Sequence, residues 1–460
     1  MAVALAELQQ RVRDGLPGSA NPCFCVALSG GLDSSVLLHA LAALRPQIPD
    51  MKLRAVHVDH GLQAASTDWA QHCQTMCKDL NVELSVLSVE VTDTKLFGPE
   101  AAARNARYAA MARVLLPGET LLLAHHQDDQ AETYWLQLMR GGGVHGLSGM
   151  PVTAALGAGK VLRPLLTSRR GDLQAYAEAA GIQWVEDPTN ADAAFDRNFV
   201  RHQLLPVVKQ RWPEAVPAMA RSARYAAEAA ELTEALAAID ATGVWDDCSA
   251  GISELLRLPE LRQRNLLRHL IRRAGLPVPP EARLLEIWNS LLFAAADAQP
   301  RVRWRGGFAA RYRDRLFLLP SSADSNPGAA AFGLERNAAV SGKLWEAGEA
   351  TSHVSFRETE GQGLDPGLLQ WPLQLRFRQG GERLRPQGAA HSRSLKNLMQ
   401  ERGVLPWRRN ALPLFYSGNT LVAVGGMWLA SEYCVAAGEP GLMPVWESAF
   451  QLCHPTRESG

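Results

Sequence analysis

The chain reads as an α/β protein: a doubly wound, mostly parallel sheet in an N-terminal domain, then a helical middle domain and a small α+β C-terminal domain. Three observations lead there. Up to about Pro213, short apolar runs alternate with longer amphipathic stretches, the pattern of strands linked by helices. Near Arg211-Trp212-Pro213-Glu214 this gives way to Ala-, Glu- and Arg-rich helical sequence. Pro320 to Ala331, rich in Ser, Pro, Gly and Ala, reads as a linker before a third unit. At 460 residues two or three domains are expected, with boundaries at 1–214, 215–322 and 341–453.

In the first domain the expected strands are Cys23–Leu28, Leu53–Val58, Leu84–Val89, Thr120–Ala124 and Ile182–Val185. Helical stretches lie between them: Val36–Leu44, Asp68–Leu80, Glu100–Leu115 and Ala131–Met139. Such alternation puts helices on both faces of a parallel sheet and ligands at the carboxyl ends of the strands. Gly141–Gly149 is glycine-rich and expected as a long flexible loop. In the second domain Ala218 to Ala238 is helical, further helices run to Leu292, and Val302–Leu319 reads as a hairpin. The third mixes short strands, Leu373–Phe377 and Thr420–Val424, with one helix near Ser394–Glu401.

Hydrophobic content of 47% and charged content of 20% describe a globular protein. Met1 to Gly18 lacks the apolar core of a signal peptide, and no uninterrupted apolar stretch is long enough to span a membrane, so the cytoplasm is expected. The seven cysteines are odd in number and scattered, with no C-x-x-C pair, so reduced core thiols are expected rather than a disulfide framework or a zinc or iron–sulfur site. Net charge is zero, yet basic residues cluster in three segments, Arg262–Arg273, Arg301–Arg315 and Arg376–Arg409, the last two interleaved with aromatics. They fit contact with a phosphate backbone, or an arginine-rich solvated surface.

Ser29-Gly30-Gly31-Leu32-Asp33-Ser34-Ser35 lies between the first strand and the first helix of that sheet. A glycine pair there lets backbone N–H groups close on an anion, and the helix N-terminus and three serine hydroxyls add to the attraction. The loop is suited to phosphate. It lacks the Gly-Lys-Ser/Thr ending of a Walker A loop and the G-x-G-x-x-G spacing of dinucleotide folds. The plain alternative is a Gly/Ser turn with Asp33 at a helix terminus.

His57-Val58-Asp59-His60-Gly61-Leu62 closes the second strand, where doubly wound sheets often meet adenosine; a turn-capping histidine reads as well. Ala124-His125-His126-Gln127-Asp128-Asp129-Gln130-Ala131-Glu132-Thr133 leaves the fourth strand for a helix. On a 3.6-residue repeat His125, Asp129 and Glu132 share a face, flanked by Asp128. The set suits a Mg²⁺ ion or an anionic pocket for an ammonium group, and helix N-terminal acids are the simpler account. Glu100 and Arg104 are spaced as a surface ion pair, and Arg104 also suits a phosphate or carboxylate. Arg197 and Arg201, one helical turn apart, suit a leaving group gathering charge, or salt bridges to Asp187, Asp192 or Asp196.

Ser-Gly-Gly-x-Asp-Ser resembles the pyrophosphate loop of the ATP pyrophosphatases, which split ATP between the α- and β-phosphates. With His57–Gly61, Glu100–Tyr108, His125–Thr133, Arg163-Pro164-Leu165-Leu166, Asp187–Asn190 and Arg197-Asn198-x-x-Arg201, it is similar to one branch of that group, the tRNA(Ile)-lysidine synthases. Arg378–Arg383, Leu395-Lys396 and Val404–Arg409 extend the resemblance over most of the chain. The resemblance implies a two-step, ATP- and Mg²⁺-dependent ligation of lysine to the wobble cytidine of a CAU-anticodon isoleucine tRNA, through an adenylated cytidine. By the same resemblance Ser29, Gly30, Gly31, Leu32, Asp33 and Ser34 hold the nucleotide, and Asp33 also holds the metal. Arg104, His125, Asp129 and Glu132 hold the lysine, and Asp33, Asp129, Arg197 and Arg201 act in catalysis. Arg303, Arg305, Arg383, Lys396, Arg408 and Arg409 are the expected tRNA contacts. A homodimer is a candidate assembly, the sequence leaving the oligomeric state open. A tRNA thiolase, an amidotransferase and an RNA-binding protein with a decayed site are the rivals. The first is disfavoured by the missing cysteine pair, the second by the basic segments, the third by the presence of Asp33, Asp129 and Glu132.

Overall fold

Alternation in Cys-Phe-Cys-Val-Ala sends Phe24 and Val26 to one face and Cys25 to the other, and strand β1 (Cys23–Ala27) accordingly sits inside a six-stranded sheet. The computed structural model describes residues 2–18, 21–59, 66–90, 99–187, 192, 194–246, 248–295, 298–324, 331–335 and 352–448. It divides into two units, Met1–Leu232 and Thr233–Gly460.

In the first unit β2 (Lys52–Asp59), β3 (Glu83–Ser88), β4 (Thr120–Leu122), β5 (Thr153–Leu156) and β6 (Gly159–Leu162) join β1 in the order β3-β2-β1-β4-β6-β5. All pairings are parallel except β5 with β6. Helices α1 (Ala2–Asp14), α2 (Leu32–Leu44) and α3 (Ser66–Asp79) precede α4 (Pro99–Val114), α5 (Gln127–Met139) and α6 (Val144–Leu147). Then come α7 (Arg170–Ala180), α8 (Asp196–Phe199), a π-helical stretch (Val200–Leu204), α9 (Leu205–Arg211) and α10 (Ala215–Ala241). Leu8, Val12, Val36, Leu41, Cys73 and Tyr176 cover one face of the sheet, and Met111 and Leu115 the other, as a doubly wound sheet requires. The order reverses between β1 and β4, so the loops leaving those two strand ends face one crevice.

Three local expectations differ. Ile182–Val185 is not a strand; Val185 instead donates its N–H to the Gly30 carbonyl at 2.9 Å, supporting the loop after β1. The β5–β6 hairpin escapes sequence reading because Ala- and Gly-rich strands give little periodic contrast. Gly141–Gly149 contains the short helix α6, and both ends of the Gln130 amide grip the Met150 backbone, at 2.8 and 2.6 Å. Cys23, Cys25, Cys73, Cys77 and Cys434 are free thiols, whereas Cys248 is disulfide-bonded.

In the second unit β7 (Trp245–Asp246), β8 (Ser249–Gly251), β9 (Arg301–Trp304), β10 (Gly307–Tyr312) and β11 (Arg315–Pro320) form one sheet, so the expected hairpin is part of a larger antiparallel array. Its apolar core is shared with helices α11 (Ile252–Leu256), α12 (Glu260–Arg273) and α13 (Glu281–Glu286). Strand β12 (Ala331–Leu334) and the pair β13 (Ser352–Glu360) and β20 (Pro440–Ser448) belong to the C-terminal part. There β14 (Leu373–Arg376), β17 (Leu414–Ser417), β18 (Thr420–Val424) and β19 (Trp428–Leu429) form a sheet with β12, beside the short pair β15 (Arg383–Leu384) and β16 (Arg393–Ser394). Helix α14 (Leu395–Glu401) starts as expected, the Ser394 hydroxyl accepting the Asn397 N–H at 3.3 Å.

Candidate active site

Strand β1 ends in the loop the sequence marked for phosphate. Gly30 has φ +83°, and a Cβ there would stand 2.9 Å from Val185 Cγ2 and 3.1 Å from Cys73 Sγ, so both conformation and space demand glycine. The Ser29 and Ser34 hydroxyls lie 3.0 Å apart, and the Ser29 N–H donates to Ser34 Oγ at 3.1 Å. Buried Leu32 anchors the first turn of α2, whose N-terminus carries no side-chain cap. Its N–H groups are therefore available to an anion. His57 fixes the strand end, its Nδ1–H donating to the Leu28 carbonyl at 2.8 Å. His60 and Gly61 lie outside the described residues.

Asp33 points back across the crevice. Its Oδ2 is 3.5 Å from His126 Nε2, and its Oδ1 is buried without a hydrogen-bond partner. Among the described residues no group of three or more His, Cys, Asp or Glu forms a ready-made metal cage. One carboxylate oxygen held beside an open phosphate cradle is nonetheless what Mg²⁺ uses, since that ion takes few protein ligands and completes its shell with phosphate and water.

From β4 the chain enters α5, and here Asp129, Glu132, Arg197 and Arg201 meet. Glu132 is 1% exposed; Arg197 Nε donates to its Oε2 at 2.8 Å and Arg201 Nε to its Oε1 at 2.6 Å. Arg201 also donates to Asp129 Oδ1 at 2.9 Å, and Arg197 lies 3.7 Å from the same oxygen. Burial works against the Asp129 charge, but His126, Arg197, His125 and Arg201 around it hold its pKa below the ordinary value. Arg201 sits in the π-helical stretch, whose wider turn occurs often at functional sites.

His125 faces differently from the expected helical stripe, because α5 begins only at Gln127. Its Nδ1 accepts from Arg163 Nε at 3.2 Å, and burial pushes its pKa down to about 3. It is thus neutral, with hydrogen on Nε2, a donor rather than a base. Arg104 lies over the Tyr108 ring at 5.1 Å; the side chain of Glu100 and residues 188–191 lie outside the described residues. Asp128 is committed elsewhere, accepting from Lys209 Nζ at 2.7 Å and the Arg170 N–H at 3.3 Å. A cavity of about 510 Å³ opens beside this cluster, lined by His126, Asp128, Glu132, Arg170, Arg201 and Lys209.

Sequence reasoning missed His126, the N-cap of α5, whose backbone N–H donates to Asp129 Oδ2 at 3.0 Å. The spacing of a carboxylate three residues beyond the cap was the available signal. Burial disfavours its charged form, yet its hydrogen bond with Asp33 and the carboxylates of Asp129, Asp33 and Asp128 raise its pKa on balance.

The six expected tRNA contacts divide. Arg303, Arg305, Arg383 and Lys396 are exposed. Arg408 is half-buried, its guanidinium 5.7 Å from the Trp446 ring. Arg409 corrects the expectation: it is 8% exposed and donates to the Val404 carbonyl at 2.9 Å, with a further bond to Tyr312, so it braces the interior. On α12, Arg262, Arg264, Arg268 and Arg272 are each paired with a carboxylate, so counting arginines overstates the basic surface.

Three family profiles match: a PP-loop domain over residues 3–208, the TilS substrate binding domain over 252–317, and the TilS substrate C-terminal domain over 373–446. The tRNA(Ile)-lysidine synthase of Coxiella burnetii is 40% identical over 425 residues, 91% of each chain. That of Methylococcus capsulatus is 39% identical over 444 residues, 94% of this chain and 98% of its own. Among solved structures, the U34-tRNA thiolase NcsA of Methanococcus maripaludis superposes with a TM-score of 0.40 at 18% identity, covering 48% of this chain and 78% of that one.

Proposed function

The chain belongs to the tRNA(Ile)-lysidine synthase family, and on that premise we propose that it joins L-lysine to the wobble cytidine of a CAU-anticodon isoleucine tRNA, converting ATP to AMP and pyrophosphate. It is an ATP-dependent C–N ligase whose product decodes AUA in place of AUG. The observation that supports the chemistry best is the junction of two half-sites. Asp33 of the phosphate loop and Asp129 of the carboxylate–arginine cluster lie on either side of His126, each 3.5 Å from its Nε2.

In the first step the base carbonyl oxygen attacks the α-phosphorus and pyrophosphate leaves. Ser29, Gly30, Gly31, Leu32 and Ser34 would receive the departing phosphates through N–H and hydroxyl groups, with Asp33 holding Mg²⁺. The ion, when bound, neutralises phosphate charge. In the second step the lysine ε-amine attacks the same base carbon, AMP leaves with the electrons of the broken C–O bond, and the proton shed by the nitrogen passes to the departing phosphate or to water. Two arginines and two carboxylates balance in the cluster. Nucleotide phosphates drawing Arg197 and Arg201 away would uncover Asp129 for the incoming ammonium group. Glu132 serves to set the two arginines, a narrower task than lysine binding. Asp129, held ionised, orients the amine and is a poor base. Neutral His125 donates from Nε2, and Arg104 completes the pocket with its charge toward the lysine carboxylate.

We assign catalysis to residues 1–214 and tRNA binding to 215–322 and 341–453, with Arg303, Arg305, Arg383, Lys396 and Arg408 in the RNA footprint. No helix among the described residues is long and apolar enough to cross a membrane. Cytoplasmic location and a homodimer complete the proposal, the latter read by light scattering. The decisive assay combines protein, ATP, Mg²⁺, labelled lysine and unmodified CAU-anticodon isoleucine tRNA, with a CAU methionine tRNA as control. Label entering only the isoleucine tRNA, with AMP released, is the expected result. Tight tRNA binding with no label in either would sink the lysine reading.

A further inference from the structure

His126 is a buried, titratable side chain for which the two-step reaction above has no task. It is 2% exposed. Its Nε2 lies 3.5 Å from Asp33 Oδ2 and 3.5 Å from Asp129 Oδ2. Both neighbours are carboxylate oxygens that accept, so they select the two forms of the ring with a hydrogen on Nε2, the Nε2–H tautomer and the charged imidazolium. Asp33 follows β1 and Asp129 follows β4, so the ring spans the two strand ends where the sheet order reverses. Each carboxylate turns one oxygen to the imidazole and keeps the other for something else. Asp33 Oδ1 is buried without a partner, and Asp129 Oδ1 meets Arg201 at 2.9 Å.

A helix cap alone does not explain the ring. The bond that caps α5 to Asp129 comes from the backbone N–H of residue 126, which any residue but proline would supply. The bridge to Asp33 needs the side chain. We propose that His126 is a positioning residue that sets the carboxylates of Asp33 and Asp129 together, coupling the geometry of the nucleotide end to that of the lysine end. The assignment rests on the reading of those two ends given above.

Two polar substitutions separate positioning from bulk. His126→Gln carries an amide N–H about where Nε2 stands, whereas the amide of His126→Asn stops near Nδ1, short of both carboxylates. The measurements are the KM for lysine, the Kd for Mg·ATP by calorimetry without lysine or tRNA, and urea unfolding. His126→Asn should raise both the lysine KM and the Mg·ATP Kd by roughly 10- to 100-fold, the usual effect of losing an outer-shell partner, and His126→Gln should recover most of each. Equal loss in the two variants, a shift in only one substrate, or a fall in kcat alone would overturn the bridge. Should His126→Asn not fold, His126→Leu, which fills similar volume without a donor, carries the same expectation. An Asp129→Asn control keeps the proposals apart. If it leaves the lysine KM unchanged, the lysine reading fails on its own account, while calorimetry still decides the Asp33 half.

Discussion

As sequence, Arg197 with Arg201 and Arg408 with Arg409 look alike, each pair sitting in a short motif read as anion-binding. As structure they differ in what receives their hydrogen bonds. Arg197 and Arg201 converge on the carboxylates of Glu132 and Asp129, while Arg409 donates to the Val404 carbonyl and Arg408 lies against Trp446. A guanidinium held by a carboxylate can exchange that partner for a phosphate with the charge balance kept. One held by a carbonyl inside a core has no such exchange open to it, and works as a strut. Partner chemistry, then, separates reactive from structural arginine.

The sharpest way to break the contrast is to remove the shared carboxylate. Glu132→Gln gives both guanidinium groups a neutral amide in place of a buried carboxylate and leaves Asp129 as the anion they share. The loss of stability should be about 3–5 kcal/mol, with lysidine formation falling along with it. Urea unfolding is the measurement. A loss below about 1 kcal/mol would mean that the arginines do not depend on Glu132, and the cluster would then be an ordinary surface pairing.

How much of this was legible differs between the two regions for a physical reason. The phosphate loop could be read because glycine pairs and serines between strand and helix serve few other ends, and the structure gives Gly30 the positive φ the loop needs. The stacking of β1 through β4 followed from apolar runs of strand length. Burial of an individual arginine does not show in sequence, because its neighbours in space come from elsewhere; Arg409 is enclosed by Val404 and by Tyr312 of β10. Adjacent His125 and His126 pose the same difficulty. Only the start of α5 at Gln127 turns one toward Arg163 and the other toward Asp33.

Arg409→Ala tests the strut directly. It should cost about 1–3 kcal/mol through the unsatisfied carbonyl it leaves, yet leave the salt dependence of tRNA binding as in the parent protein. A shallower slope of log affinity against log salt with unchanged stability would reverse the assignment and return Arg409 to the RNA footprint.

Charge can also be removed by titration. His125 is pushed down to about 3 from an ordinary value of about 6.5. Between those values the unfolded chain binds a proton that the folded one refuses, so this group makes stability rise with pH across that window and fall as the solution is acidified. Asp129, whose pKa is depressed, adds a loss of the same sign only near and below about pH 4. His126, whose pKa is raised, contributes stability that is lost above about pH 6.5. Across pH 6.5 to 5 His39, which burial also pushes down, acts in the same sense, so the comparison with a His125 variant is what isolates His125. There the parent protein should lose stability faster than His125→Gln, by up to about 1.4 kcal/mol per pH unit. Parallel curves would show that the imidazole is not held neutral.

The smallest effects belong to the exposed residues, and they finish the comparison from the other side. Arg383→Ala and Lys396→Ala sit on the surface of the second unit, where a substitution should shift stability by no more than about 0.5 kcal/mol. Arg383 keeps a bond to the Ser392 carbonyl at 2.8 Å, so of the two it should show the larger change. If each neutralises one phosphate, its loss should lower the salt slope of tRNA binding by about 0.7–0.9, the value depending on whether the contacted RNA is single-stranded or helical. The pair would lower it by twice that, because contacts made to separate phosphates add. An unchanged slope at both positions would place the RNA path elsewhere on this unit, with the exposed Arg303 and Arg305 of the β9–β10 region next in line for the same titration.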